Sequence, residues 1–213
     1  MKAAREKAAR EKSTRKKARF RLKPPGEPIA VASLRTRAGK VYVLCTEHGL
    51  REVRLGRSGA PTKREARERG VHYVRRPRWT AAAVRALERF IDGAAIPPDL
   101  ALDLSEGTSF QRRVWEATRA VPWGEVVSYS DVAKRAGYPK AVRAVGNALG
   151  KNPVPIVVPC HRVVHFAGSI GGFTSGLDWK RYLLSLERGQ LELAWRRPKR
   201  LLGLIPTGRS GRT

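Results

Sequence analysis

The chain has 213 residues with 41% apolar side chains, enough for a real core in one compact domain or two small ones, which excludes a wholly disordered polypeptide. Its 44 Lys and Arg against 18 Asp and Glu give a formal net charge of +26, a potential that gathers polyanions and favours nucleic acid as partner over a merely basic soluble protein. The sequence has no run of about 18 apolar residues and no apolar signal core, which predicts an intracellular protein with no membrane partner.

Two cysteines, Cys45 and Cys160, are too few for a disulfide scaffold or a cysteine-rich zinc site, so each is expected to be a free thiol. Only two Asn, two Gln and one Met occur beside abundant Arg, the depletion of heat-labile residues expected of a thermophile.

Residues 1–27 carry eleven Lys or Arg, then Pro24, Pro25 and Gly26, and read as a basic flexible arm. The tail at 191–213 is similar. Either can lie along phosphates or stay simply solvated. From Ile29 to Leu55, Val41, Val43 and Cys45 alternate with Tyr42, Leu44 and Thr46 around a turn at Glu47-His48-Gly49, which predicts strands in a hairpin. Cys45 then points to the core as filler rather than as a nucleophile.

Helical patterns follow at 62–69 and 80–92, the second with Thr80 as N-cap and Gly93 at its end. Residues 28–104 therefore read as a small α/β domain, and IPPDLALDLSEGTSF as a linker. A second, mainly α domain is expected over 105–190, making the chain α+β. Its first helix, FQRRVWEATRAV, carries Phe110, Val114, Trp115, Thr118 and Val121 as a stripe.

Next comes a helix with Ser130 as N-cap, a turn at Gly137-Tyr138, and PKAVRAVGNALG with Pro139 near its first position, together a helix-turn-helix. Val142, Val145 and Leu149 share one face of the second helix. Lys140, Arg143, Ala144, Asn147 and Lys151 share the other, either as an ordinary solvated surface or as a face pressed into a groove, with Arg143 the long side chain at its centre.

After Asn152-Pro153, the prolines of NPVPIVVPCHRVV predict a stiff extended segment that presents Cys160. In an extended chain Cys160 and His161 point to opposite sides, so any coupling needs a bend or a bridging water. A thiol near its reference pKa of about 8.5 is mostly protonated at neutral pH, and His161 and Arg162 can supply the base or positive field that activates it. In the helix of GGFTSGLDWKRYLLSLERG, Trp179, Tyr182, Leu183 and Leu186 are apolar. Glu187 sits at the margin of that side, available to His161 or to Arg181 or Lys180.

RAVGNALGKNPVPIVVPCHRVV, with GEVVSYSDVA before it and GGFTSGLDWKRYLLSLE after it, resembles the O6-alkylguanine-DNA alkyltransferase family over about residues 108–188. PCHRV with an upstream RAVG and NP at these spacings is a highly specific pattern. The resemblance implies a suicide DNA-repair protein that flips an alkylated guanine and moves the alkyl group irreversibly to Cys160.

By the same resemblance His161 is the base through a water, Glu187 orients His161, and Asn152 shapes the turn. Tyr129 protonates the leaving guanine and helps rotate its phosphate, and Arg143 fills the vacated stack. The base pocket is expected from Phe173, Thr174, Ser175, Val163, Pro155 and Trp115. Phe173 stands where members often carry tyrosine.

Members with zinc use cysteines that this N-terminal region lacks, so no metal or other cofactor is expected. The implied partner is double-stranded DNA carrying O6-alkylguanine, bound by a monomer in a prokaryotic, nucleoid-associated, cytoplasmic setting, with cooperativity left open. Three rivals remain: an alkyltransferase-like protein without transfer, disfavoured by the intact PCHRV; a structural nucleic-acid coating protein; and a cysteine hydrolase, disfavoured because no second histidine is spaced with an Asn or Asp partner.

Overall fold

The computed structural model describes residues 26–165 and 169–189. The predicted basic stretches at 1–27 and 191–213 lie outside the described residues, except for Gly26 and Glu27, and Glu27 opens the first strand.

Strands β1 (Glu27–Thr36), β2 (Gly39–Thr46) and β3 (Gly49–Leu55) form an antiparallel meander, one strand more than the predicted hairpin. The turn at Glu47-His48 lies as expected, followed by Gly49 at φ 139°, a conformation open to glycine alone. Helix α1 (Lys63–Glu68) leads to β4 (Val71–Val74), which pairs parallel to β1, so the sheet order is β3-β2-β1-β4. Helix α2 (Pro77–Ile91) packs Ala83, Ala86, Leu87 and Phe90 into the sheet's core.

The alternation along β2 holds for Val41 and Val43, but Leu44 and Thr46 are buried with Cys45; the register shifts at Leu44/Cys45, and Thr46 is tied to Asp103 of segment 100–103. Thr80 is not the N-cap of α2. The helix starts three residues earlier at Pro77, whose ring presets the first turn, and the Thr80 hydroxyl donates to Pro77 O within it.

The predicted linker is bound to the sheet. Leu50 N donates to Ala101 O (3.0 Å) and Asp103 N to Leu50 O (2.9 Å). The Asp103 carboxylate is buried, where it accepts from Thr46 Oγ1 (2.6 Å) and from Arg51 Nη2 (2.6 Å) and Nε (3.1 Å); Arg51 also pairs with Glu27. Burial alone would raise the Asp103 pKa, but these donors and those of Ser105 bring it down to about 2.

Helix α3 (Ser109–Arg119) begins at Thr108, whose capping box with Gln111 satisfies two orphan amides. The two-residue strand β5 (Val127–Ser128) leads into α4 (Tyr129–Arg135), then a turn with Gly137 at φ 85°, then α5 (Val142–Gly150). The N-cap of α4 is Ser128 rather than Ser130, because Asp131 completes a capping box from that position. Pro139 and Lys140 belong to the turn, since α5 starts at Val142. Val142 is exposed, while Val145, Ala148 and Leu149 are buried.

A 3-10 turn, Cys160–Arg162, precedes β6 (Val163–Val164), which pairs with β5, and helix α6 (Leu177–Glu187) closes the described fold. The fold is α+β. One core joins the sheet and α2 to Val154–Val158, Trp115 and α6; a smaller one lies among α3, α4, α5 and Val163. Among the described residues no helix is long and apolar enough to cross a membrane.

Candidate active site

Segment 152–159 is folded, not extended. Val158 N reaches back to Val154 O (2.9 Å), Cys160 N to Val158 O (2.8 Å), and Ile156 takes φ 78°, costly for a β-branched residue and held by complete burial. Asn152 organises the bend: Oδ1 accepts from Val154 N (3.0 Å), and Nδ2 donates to Val158 O (2.8 Å) and to Cys160 Sγ (3.1 Å). The sheet supports it from outside, because Val53 N on β3 donates to Pro153 O (2.8 Å).

The tight turn at Cys160–Arg162 sends His161 inward, where it is fully buried. Its Nε2 lies 2.7 Å from Glu187 Oε1. A carboxylate only accepts, so Nε2 carries the proton and Nδ1 keeps its lone pair. Nδ1 is buried with no hydrogen-bond partner. Burial lowers the His161 pKa against the pull of Glu187, which keeps the ring neutral at pH 7.

Glu187 sits at the end of α6 among donors. Arg162 Nε (2.9 Å to Oε2) and Nη2 (2.8 Å to Oε1) grip it, and Gly124 N donates to Oε2 (3.2 Å). Burial opposes ionisation, yet the hydrogen bonds and charge of His161 and Arg162 bring its pKa down to about 2. Arg162 is therefore committed to Glu187 and the carbonyl of Val121, not to the thiol as the sequence predicts. Arg181 and Lys180, the other predicted partners of Glu187, go elsewhere: Arg181 pairs with Asp178, and Lys180 donates to Val163 O.

Cys160 is half-buried at the floor of a cavity of about 390 Å³. Burial pushes its thiol up, while the Asn152 hydrogen bond and the Lys180 charge pull it down. Tyr129, Gly146, Asn152, Pro155 and Phe173–Ser175 line this cavity, with Glu52 and Arg54 of the edge strand β3 and Ser58 of the turn after it on one wall. That wall is held close at Gly56 (φ 50°), where any side chain would collide with the Trp179 indole. The Tyr129 ring sits 5.1 Å from that of His165, and burial raises its pKa, as does charge at Cys160.

The structure brings together Cys160, His161, Glu187, Asn152 and Tyr129, and places Phe173, Thr174, Ser175 and Pro155 on the cavity. Val163 and Trp115 do not line it. The 3-10 turn directs Val163 into the β5/β6 pair and the small core, and Trp115 is buried below α5 with Nε1 on Ala148 O (2.9 Å). Arg143, Ala144, Asn147 and Lys151 are exposed along and just beyond α5, and Lys140 is exposed on the preceding turn. Sequence reasoning missed the grip of Arg162 and Gly124 on Glu187, the sheet's contribution to the cavity, and the burial of Lys180. Among the described residues, no group of three or more His, Cys, Asp or Glu could hold a metal ion.

Residues 109–189 match the family described as "6-O-methylguanine DNA methyltransferase, DNA binding domain". A methylated-DNA–protein-cysteine methyltransferase of Mycolicibacterium paratuberculosis is 47% identical over 116 residues, 54% of this chain and 70% of that protein. One from Methanosarcina acetivorans is 44% identical over 115 residues, covering 54% and 73%. The solved structure of Mycobacterium tuberculosis OGT in complex with DNA superposes with a TM-score of 0.66 at 34% identity, over 78% of this chain and 98% of that one.

Proposed function

This chain belongs to the methylated-DNA–protein-cysteine methyltransferase family, and from that premise we propose that it repairs O6-alkylguanine by direct reversal, taking the alkyl group onto Cys160 once per molecule. The observation that carries the reading is the unpartnered, buried Nδ1 of His161, backed by Glu187 and adjacent in sequence to a thiol that already accepts one hydrogen bond on the cavity floor.

A water between Nδ1 and Sγ passes the thiol proton to His161, and the carboxylate of Glu187 stabilises the imidazolium that forms. The thiolate attacks the alkyl carbon; the S–C bond forms, the C–O6 bond breaks, and its electron pair stays on the purine. Tyr129, facing the same cavity, donates the proton that neutralises the departing base. A thioether has no good leaving group, so turnover stops there.

The lesion must leave the helical stack to reach the cavity, at a cost of a few kcal/mol. Helices α4 and α5 act as a helix-turn-helix whose exposed face docks on the duplex, and Arg143 enters the gap left by the base. The high positive charge and the DNA-bound state of the Mycobacterium tuberculosis relative support double-stranded DNA as partner. A soluble, cytoplasmic repair role in a prokaryote follows from this reading.

Intact-protein mass spectrometry after incubation with DNA containing O6-methylguanine tests it. One methyl per molecule on Cys160 is expected; repeated turnover, or methyl on Cys45, overturns it.

A further inference from the structure

One buried charge takes no part in that mechanism. Lys180, on α6, is 0% exposed. Its Nζ donates to Val163 O (2.7 Å) and Gly172 O (3.4 Å), and no described carboxylate lies within ion-pair distance of it. Glu187 is occupied by His161 and Arg162, and Asp178 by Arg181. An ammonium this deep without a counter-ion is costly, and lysine is among the residues least often buried unpaired.

The groups that face Lys180 electrostatically are Cys160 and His161, both on the turn just before Val163. His161 is neutral, and Arg162 is neutralised by Glu187. Tyr129 also feels the charge of Cys160 and stays protonated in the neutral range. The one anion the site can create near Lys180 is therefore the Cys160 thiolate. Burial brings the Lys180 pKa down to about 8, even with charge on Cys160 pulling it upward. The two carbonyls that hold the ammonium belong to the strand behind the nucleophile and to the loop carrying Phe173–Ser175.

We propose that Lys180 is a positioning residue that serves as the buried counter-ion of the Cys160 thiolate and ties the pocket loop at Gly172 to Val163 behind the nucleophile. It keeps its protons throughout; the thiol proton leaves by way of His161. Once sulfur is alkylated the negative charge departs with the base, and Lys180 is left without a counter-ion. This rests on Cys160 being the acceptor, but its test needs no DNA.

The test measures the rate of iodoacetamide reaction with Cys160 in the full chain against pH, with a Cys160→Ser control and thermal melting to follow folding. Lys180→Gln keeps a donor for the carbonyls and removes the charge. Cys160 in that variant is expected to ionise at higher pH, with reaction about tenfold or more slower at pH 7 and converging with the parent rate in alkali. A folded Lys180→Gln protein with an unchanged pH profile overturns the proposal.

The reciprocal measurement needs no variant: in lysine-labelled protein followed by NMR, Lys180 titrates at lower pH after iodoacetamide has capped Cys160. An unchanged Lys180 titration overturns the proposal even where the Gln variant fails to fold. A protein that behaves as expected in both measurements yet takes no methyl from O6-methylguanine DNA supports the Lys180 pairing and sinks the repair function instead.

Discussion

Two clusters in the described fold each set an arginine against a buried carboxylate, and they are built from the same parts. Around Asp103, the donors are Arg51, Thr46 and Ser105, and every carboxylate oxygen is matched; the result joins segment 100–105 to the sheet. Around Glu187, Arg162 and Gly124 do the same work, but the third donor is a histidine whose far nitrogen has no partner. Both carboxylates are held near pKa 2. What separates a brace from a reactive site is therefore not the ion pair but the loose end, a polar atom left free beside a nucleophile.

The two thiols sharpen that contrast most strongly. Burial raises the pKa of both thiols, that of Cys45 to about 12, but Cys45 is enclosed in the sheet's core, whereas Cys160 faces a cavity with a hydrogen bond on sulfur. Cys160→Ser is expected to abolish alkyl transfer completely while DNA binding persists, measured by intact mass and gel shift. Residual transfer through Cys45 would show that exposure to the cavity and the hydrogen bond on sulfur are the wrong discriminators.

Next in size is the exchange of one carboxylate in each cluster. Glu187→Gln is expected to slow transfer at neutral pH by about 10²-fold, because the imidazolium loses its counter-charge, with a smaller deficit in alkali where the thiol ionises unaided. Asp103→Asn breaks an equally buried pair and is expected to cost about 3 kcal/mol of stability without changing the transfer rate. Single-turnover kinetics and thermal melting read the two effects separately. Equal loss of rate in both variants, or a Glu187→Gln deficit that is the same at every pH, would reduce the Glu187 cluster to another brace.

The sequence made one cluster far more legible than the other. The family resemblance groups Cys160, His161, Glu187 and Asn152, whereas spacing alone leaves Glu187 open between His161 and the cations of its own helix. The Asp103 cluster joins residues 52 positions apart across a stretch that reads as a linker, because its aspartate and prolines are turn formers in any local view. Thr80 and Ser130 fail as caps for a related reason: a serine or threonine near a helix start is a candidate at several positions, and the choice is made by Pro77 and by the spacing of Ser128 to Asp131. Lys180 looks like a surface charge, and Arg162 like a partner of the thiol, because periodicity carries no information on which charged residue the neighbouring chain covers.

A smaller rate effect is expected on the exposed helix. Arg143→Ala should slow transfer about tenfold on a paired lesion and little on a mismatched or single-stranded one, where extrusion costs less. Its salt dependence of binding should change by no more than one phosphate contact, roughly 0.9 in the slope of log affinity against log salt. Equal slowing on paired and unpaired substrates would make Arg143 a phosphate contact and leave the gap-filling role without support.

The smallest effect concerns acid stability, and it separates the clusters by pH. The folded pKa of His161 is held below its ordinary 6.5, so as pH falls through 6.5 the unfolded chain takes a proton that the folded chain refuses. Stability from the buried neutral ring is complete above that value and is lost below it, by at most about 1.4 kcal/mol per pH unit. Asp103 and Glu187 are also depressed, from 3.8 and 4.5 to about 2, so their contributions persist above the ordinary carboxylate range and vanish only as pH falls from there toward 2. Between pH 6.5 and 5 the histidine of the site therefore acts while both carboxylates are silent. Melting temperature is expected to drop by a few degrees over that interval in the parent and in Asp103→Asn, and the His161 share of the drop should disappear in His161→Gln. If His161→Gln loses as much stability as the parent between those two pH values, the ring is not held neutral, and the lone pair assigned to Nδ1 is not available to take the thiol proton.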